Sequence, residues 1–453
     1  MSSWGKVGFF ALSLAFTIAL ASKLPAQAQA AHYDLLLKGG HVIDPANDVD
    51  KVADVGISAG KIAAVAESIP ASAAGKVVDV SGLYVTPGLI DIHYHVGHAG
   101  IPLNWFSPEA RSRTAPEGLP AELALTAGVT TVVDAGSAGA DTFLLEKEEV
   151  IDHAKVRVLA FLNIVADGMG GGLEQTVEQM DPQLCAQTIG KFPDLIVGVK
   201  TAHYWTEKPW DAVHTPWVAV DQAEECGRLA GVPVMFDFWP RPPERTYADL
   251  ILKKMRPGDI HTHVFAQQFP ILLADGKLNP ILAEARQRGV IFDVGHGSAS
   301  FWFRNAVPAV KQGFIPDSLS TDLHLGNVTV LSMTEVMSKF LAMGVPLEDL
   351  IRRSTVNPAR EIRRPELGTL SVGQEADVAV LEVLHGQFGY IDDGYARMDG
   401  NAKVVARMTL RAGRILYDPS GLSMVEWEKA PRQYFLTPEL GGSPPARADN
   451  YPR

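Results

Sequence analysis

Apolar and polar residues follow two different patterns along this chain. Between residue 33 and about residue 90 they alternate in short runs broken by Gly, Asp and Asn: YDLLLKGGHVID, VADVGISAGKIAAVA and KVVDVSGLYV. Such runs predict short strands joined by turns, and the two-residue period is clear in KVVDVSG. The same pattern returns near the C-terminus in ADVAVLEV and KVVARMTLRAGRILYD. The two flanks, 31–88 and 366–420, are expected to form one small β domain, with the middle of the chain inserted between them.

The middle, residues 89–365, alternates apolar runs with amphipathic, helix-like segments. Eight runs read as strands: GLIDIHYHV, VTTVVDAG, VRVLAFLNIVA, LIVGVK, VPVMFDFW, DIHTHVF, GVIFDVGHG and PDSLSTDLH. Helical segments include 143–154, 218–230, 278–288 and 331–343. Strands alternating with helices imply parallel βα units. Eight such units in about 250 residues is the size of a (β/α)8, or TIM, barrel. Several runs are apolar throughout, as strands covered on both faces should be. The fold class predicted is therefore α/β, a distorted TIM barrel with a small domain built from both flanks. From about residue 426 to 453 the chain is rich in Pro, Arg and Gly and reads as a loosely attached arm.

Residues 1–30 have a different character. Lys6 precedes the apolar run VGFFALSLAFTIALA, and Ala28-Gln29-Ala30 closes the segment. That is the form of a secretory signal peptide cleaved near Ala30. The alternative is an uncleaved anchor, but the run is shorter than the ~20 residues a spanning helix needs. An exported, periplasmic protein is expected.

Composition narrows the function classes. Hydrophobic residues make up 47% and charged residues 20%, as in folded globular proteins. The formal net charge of −12 is spread without long acidic runs. It argues against nucleic acid or an anionic membrane surface as partner. Cys185 and Cys226 are too few for a disulfide framework or a cysteine metal site, and read as buried residues. The expected partner is a small-molecule substrate; a homo-oligomer is left open.

Barrels of this kind carry their chemistry at the C-terminal ends of the strands. Histidines, carboxylates and one lysine collect there. Strand 1 ends in His93 and His95, strand 4 in Lys200 and strand 5 at Asp237. Strand 6 carries His261 and His263, strand 7 Asp293 and His296, strand 8 Asp322 and His324. Side chains two apart on a strand share a face, so a His-x-His pair offers two imidazoles to one ion. Singly, each of these residues has an ordinary explanation as a solvated, capping or hydrogen-bonded group. Together, at one end of one barrel, they predict a metal site.

The combination resembles the amidohydrolase superfamily, in the binuclear branch with dihydroorotase, D-aminoacylase and acetyl-hydroxyacid deacetylases. VTPGLIDIHYH resembles the family's entry into strand 1, and LGTLSVGQEADVAVL its return into a small β-sandwich. The resemblance implies two divalent ions, zinc by preference. It implies that His93 and His95 bind the more buried ion and that Lys200, carboxylated on its amine, bridges both. It implies that His263 binds the second ion, and that Asp322 contacts the first and acts as general base. Hydroxide activated by the metal would then hydrolyse an amide, a cyclic amide or an ester.

One position departs from the pattern. The relatives carry a histidine where VPVMFDFW has Asp237. Three accounts stay open: Asp237 ligates the second ion through oxygen, it holds another ligand in place, or the second site is weak or empty. In the last case His203 is a replacement ligand. His296, His324 and Arg241 are further candidates for touching substrate or supporting the site. Alternative functions are a catalytically silent exported metal- or solute-binding protein, and a deaminase or isomerase on the same barrel.

Overall fold

The computed structural model describes residue 1 and residues 32–96, 118–171, 176–202 and 209–430 of the chain. The expected signal peptide beyond Met1, His98 (in the loop after the first barrel strand, where the sequence suggests a solvated residue), His203 and residues 431–453 of the expected arm lie outside the described residues.

The flanks build one sheet. β1 (Tyr33–Asp44), β2 (Val49–Ser58), β3 (Lys61–Ala66), β4 (Ala74–Asp79) and β5 (Tyr84–Pro87) come from the N-terminal flank. The barrel region supplies β6 (Leu89–Tyr94), β7 (Val129–Gly139), β8 (Arg157–Asn163), β9 (Ile196–Thr201), β10 (Val234–Phe236), β11 (Ile260–His261) and β12 (Ile291–Phe292). β13 (Val378–Ile391), β14 (Arg397–Arg411) and β15 (Arg414–Tyr417) come from the C-terminal flank. The flanking sheet has the order β15-β14-β13-β5-β1-β2-β3, with β4 paired to β1. β5 joins the two ends of the chain: Val85 lies opposite Val42 of β1, in parallel, and opposite Val380 of β13, antiparallel. Alternate residues bury into a common core: Leu35 and Leu37, Val55 and Ile57, Val378 and Val380, Met408 and Leu410. This is the two-residue period read from the sequence. Hydrogen bonding makes it a single sheet of eight strands.

The middle of the chain forms a seven-stranded parallel sheet in chain order, β6 to β12. One apolar cluster contains Ile90, Ile92, Val133, Leu159, Phe161, Val197, Met235 and Ile260, from β6 to β11. Residues from six neighbouring strands share one cluster only if the sheet curves around it. The expected eighth strand joins the sheet's two ends by single bridges. Ser318 bridges Asp293, just past β12, and Leu323 bridges Tyr94 of β6, both in parallel. Asp322 N donates to His93 O at 2.6 Å and His95 N to Leu323 O at 3.0 Å. A continuous ladder fails there because Asp322 itself has φ +48°, outside the extended region.

Helices link the strands. Val218–Ala230 buries Ala219, Val220, Ala223, Cys226 and Gly227, the three-to-four spacing of a one-faced helix. Pro182–Lys191 starts with Asp181, whose side chain accepts from Gln183 N and Leu184 N. Cys185 and Cys226 are buried free cysteines on these two helices.

Candidate metal centre

β6 is buried along its whole length and carries His93 near its C-terminal end, with His95 just past it. Both Nε2 atoms stand 3.2 Å from Oδ1 of Asp322. The three donor atoms lie within 4.8 Å of one another, the spacing at which one ion can be shared. Lys200, at the end of β9, is 4% exposed. Its Nζ is 3.3 Å from His93 Nε2 and donates to Ala135 O at 3.2 Å. Room for this lysine depends on Gly136, which has φ +87°: a Cβ there would stand 2.7 Å from Lys200 Cβ. His263 Nε2 faces Asp237 Oδ2 at 3.5 Å and Asp322 Oδ2 at 4.0 Å. The rings of His93 and His263 lie 4.9 Å apart, centre to centre. Six of the residues singled out in the sequence, His93, His95, Lys200, Asp237, His263 and Asp322, thus meet at one place.

Hydrogen bonds behind the rings fix how they present themselves. The Thr262 hydroxyl donates to Asp293 Oδ2 at 2.8 Å, so it accepts from Nδ1–H of His93, also at 2.8 Å. Asp293 accepts two further hydroxyls, from Ser318 and Ser320. His263 Nδ1–H donates to Gly295 O at 2.6 Å. In both rings Nδ1 therefore carries a proton and Nε2 is turned to the centre. His95 Nδ1 is held 3.0 Å from the Ser137 hydroxyl.

The charges agree with this arrangement. Burial, then the nearby Lys200 cation, pushes His93 well below the usual imidazole range, so it is neutral. Burial alone would raise the Asp322 carboxyl, but His93, His95 and His263 hold it well below the usual carboxylate range. His263 is lifted to about 9, because Asp237 and Asp322 outweigh its burial, so without an ion the ring is an imidazolium and an ion bound at Nε2 would displace its proton. Two imidazoles and an ionised carboxylate, with a buried lysine beside them, fit a divalent ion of the zinc type.

Two of the converging residues sit in left-handed backbone, His263 at φ +59° and Asp322 at φ +48°. For non-glycine residues this conformation costs roughly 1–3 kcal/mol and persists where the surroundings enforce it. It also separates the two histidines of HTH, which the spacing had put on one face. β11 ends at His261, whose Nε2 pairs with the Tyr247 hydroxyl at 3.0 Å and whose ring packs on Phe269. The left-handed turn then swings His263 into the centre. Thr262, between them, is the residue that reaches His93.

The other candidates lie at different distances from the cluster. His324 packs edge-on to His95, ring centres 6.2 Å apart, and its Nδ1 accepts from Gly326 N. His296 is wholly buried, and its Nε2 is 2.7 Å from the Lys339 amine. The Arg241 guanidinium lies over the Trp210 ring, 3.8 Å from its centre. Thr262, Ser137 and Lys339 carried no signal in the sequence, since hydroxyls in strands and lone lysines in helices are common. Asp293 was visible in DVGHG without a role; its use is clear only once Thr262 stands between it and His93.

Comparison with known proteins agrees with the geometry. Two family models, both described as Amidohydrolase family, match residues 76–166 and 303–416. A deacetylase of Enterococcus faecalis is 30% identical over 357 residues, 78% of this chain and 90% of that protein. A solved structure described as an adenine deaminase superimposes with a TM-score of 0.73 at 27% identity, over 85% of this chain and 100% of that one. One described as a dihydroorotase gives 0.70 at 26% identity, over 85% and 99%. The curved parallel sheet is thus that of a TIM-barrel-like α/β fold. With its paired strand-1 histidines, strand-4 lysine and strand-8 aspartate at one end of that sheet, the chain belongs to the amidohydrolase superfamily, and so to the hydrolases of amide-type bonds.

Proposed function

We propose that the protein is a metal-dependent deacetylase, hydrolysing the acetyl amide or ester of a small acid by way of two zinc ions. The observation that carries this is the convergence of His93 Nε2, His95 Nε2 and Asp322 Oδ1. His93, His95 and Asp322 would hold the first ion, His263 and Asp237 the second. Lys200 would join them as a carbamate, its amine having added to carbon dioxide with loss of a proton. An ammonium at this place would repel two cations, whereas a carbamate brings negative charge and two oxygens. When bound, the ions acidify water and polarise the scissile carbonyl. Asp322, kept ionised by the imidazoles around it, takes the proton of the attacking water and returns it to the leaving group. Asp237 replaces a neutral imidazole with a charged oxygen ligand, which favours a harder ion at the second position.

The flanking sheet would fold on itself as the family's small β-sandwich, and residues 1–30 would direct export and be removed. Substrates to try first are N-acetyl amino acids and acetylated hydroxyacids, with cyclic amides second. The likeness to a structure described as an adenine deaminase keeps an amino-purine in the panel. The test is metal content per chain of the mature protein, by mass spectrometry without added metal, together with turnover of that panel. Two ions per chain and an Asp322→Asn variant that has lost turnover are expected. Metal without turnover of any substrate would replace this reading with a silent metal-binding protein. A chain that takes up no metal even after supplementation would end it.

A further inference from the structure

We propose that Asp393 and Lys339 are positioning residues for Asp322, holding from outside the parallel sheet the two segments that frame its carboxylate; the role of Asp322 is that of the proposed function. Asp393 belongs to the turn between β13 and β14, in the flanking sheet. Its carboxylate accepts from Ser300 N and Phe301 N, both at 2.7 Å, and from the Thr329 hydroxyl. Its neighbour Asp392 accepts from Phe303 N at 2.9 Å. Ser300 and Phe301 follow β12, and Thr329 follows Asp322. One carboxylate from a distant part of the chain therefore ties two segments at the mouth of the sheet.

Lys339 completes the tie. It lies in helix Met333–Ala342 and is wholly buried. Its amine donates to Thr329 O at 2.7 Å and to His296 Nε2 at 2.7 Å. His296 Nδ1–H then points to Gly297 O at 3.1 Å, with Asp393 Oδ1 3.8 Å away, and the ring stacks on Phe301 with centres 4.5 Å apart. Gly297 is the wall against which Asp322 stands. It has φ +59°, its N donates to Thr321 O at 3.0 Å, and a Cβ there would lie 2.4 Å from Asp322 Oδ2.

The left-handed backbone of Asp322 gives this bracing its purpose. Upstream the conformation is fixed by Asp322 N on His93 O and by the Thr321 hydroxyl on Asp91. Downstream, Asn327 Oδ1 accepts from His324 N at 2.7 Å, and Thr329 is held by Asp393 and Lys339. A buried ammonium is a poor way to gain stability, since apolar replacements of buried ions are often neutral or better. Its value here is directional. Loss of the tie lets the segments on both sides of the base shift, and a misplacement of about 1 Å can cost about 100-fold in rate.

The experiment compares Asp393→Asn and Lys339→Met with Asp259→Asn, a buried carboxylate that accepts from Val234 N and Arg256 at the opposite ends of the strands. Metal content, melting temperature, kcat and KM are measured on the mature, metal-loaded protein. The two positioning variants are expected to keep their metal, hold KM within about threefold and lose about 10- to 100-fold in kcat. Asp259→Asn is expected to lose stability with kcat intact. If all three lose stability alike and kcat stays within threefold, the tie is structural only and the proposal falls. Thr329→Val, which removes a single hydroxyl, replaces Asp393→Asn if that variant does not fold. If the parent turns over no substrate in the panel, the deacetylase reading fails separately. Hydrogen exchange then decides: faster exchange in Asp393→Asn at both 297–301 and 322–330 supports the tie, and unchanged exchange overturns it.

Discussion

The chain contains two His-x-His triplets with the same spacing, HYH at 93–95 and HTH at 261–263, and the structure uses them differently. In the first, β6 ends at Tyr94 but the chain stays hydrogen-bonded through the second histidine, with His95 N on Leu323 O and Leu119 N on His95 O. Both imidazoles reach the same carboxylate oxygen. In the second, the strand stops at His261, which turns to Tyr247 and Phe269. Only His263 reaches the centre, through a left-handed residue. Spacing by two places side chains on one face only while the strand lasts.

The contrast can be tested by breaking each triplet. His95→Ala removes one of three converging donors. It should lose bound metal and several kcal/mol of barrier lowering, about a thousandfold in kcat/KM. Steady-state kinetics and metal analysis would check this, and retention of both metal and rate would detach the first triplet from the site. Chelation should lower the melting temperature of the parent, because an ion that binds only the folded chain stabilises it by about 2.7 kcal/mol at a hundred times its Kd. The same treatment should leave His95→Ala unmoved. Thr262→Val takes away the acceptor that orients His93. Losing such support typically weakens metal affinity by about 10- to 100-fold, which a competition titration reads directly. The smallest effect on activity belongs to His261→Phe. The Nδ1 of His261 lacks a hydrogen-bond partner, but the change strips the buried Tyr247 hydroxyl of Nε2 and should cost about 1–3 kcal/mol of stability. Turnover should stay within about twofold. A large loss would mean that the second triplet acts as a pair after all.

The same contrast shows what the sequence made legible. The run of apolar segments located all seven strands of the parallel sheet, and the flanking alternation located the eight strands of the other sheet, β1 over the very residues YDLLLKGGHVID. Lengths were less legible: β10 to β12 are two or three residues long, because the chain leaves the ladder where it begins to place side chains in the centre. His93, His95, Lys200 and Asp322 were legible because each ends an apolar run. The turn at His263 was not, since nothing in HTH requires a left-handed residue. Thr262 and Asp293 are meaningful only as a pair brought together from neighbouring strands. The tie between Asp393 and Thr329 joins residues 64 positions apart through a hairpin whose aim is set by tertiary packing.

The pairing of Val85 with Val380 has a consequence for how the molecule comes into being. Nearly three hundred residues must be made before β5 meets β13, so the flanking sheet cannot close while the chain is still growing through the βα units. Until then β5 is an open edge, competent to pair with another chain. Contacts this distant in sequence also slow folding. A truncation that stops short of β13 is expected to yield inclusion bodies rather than a smaller enzyme, so that a strand from the C-terminal flank sets the solubility of the N-terminal one.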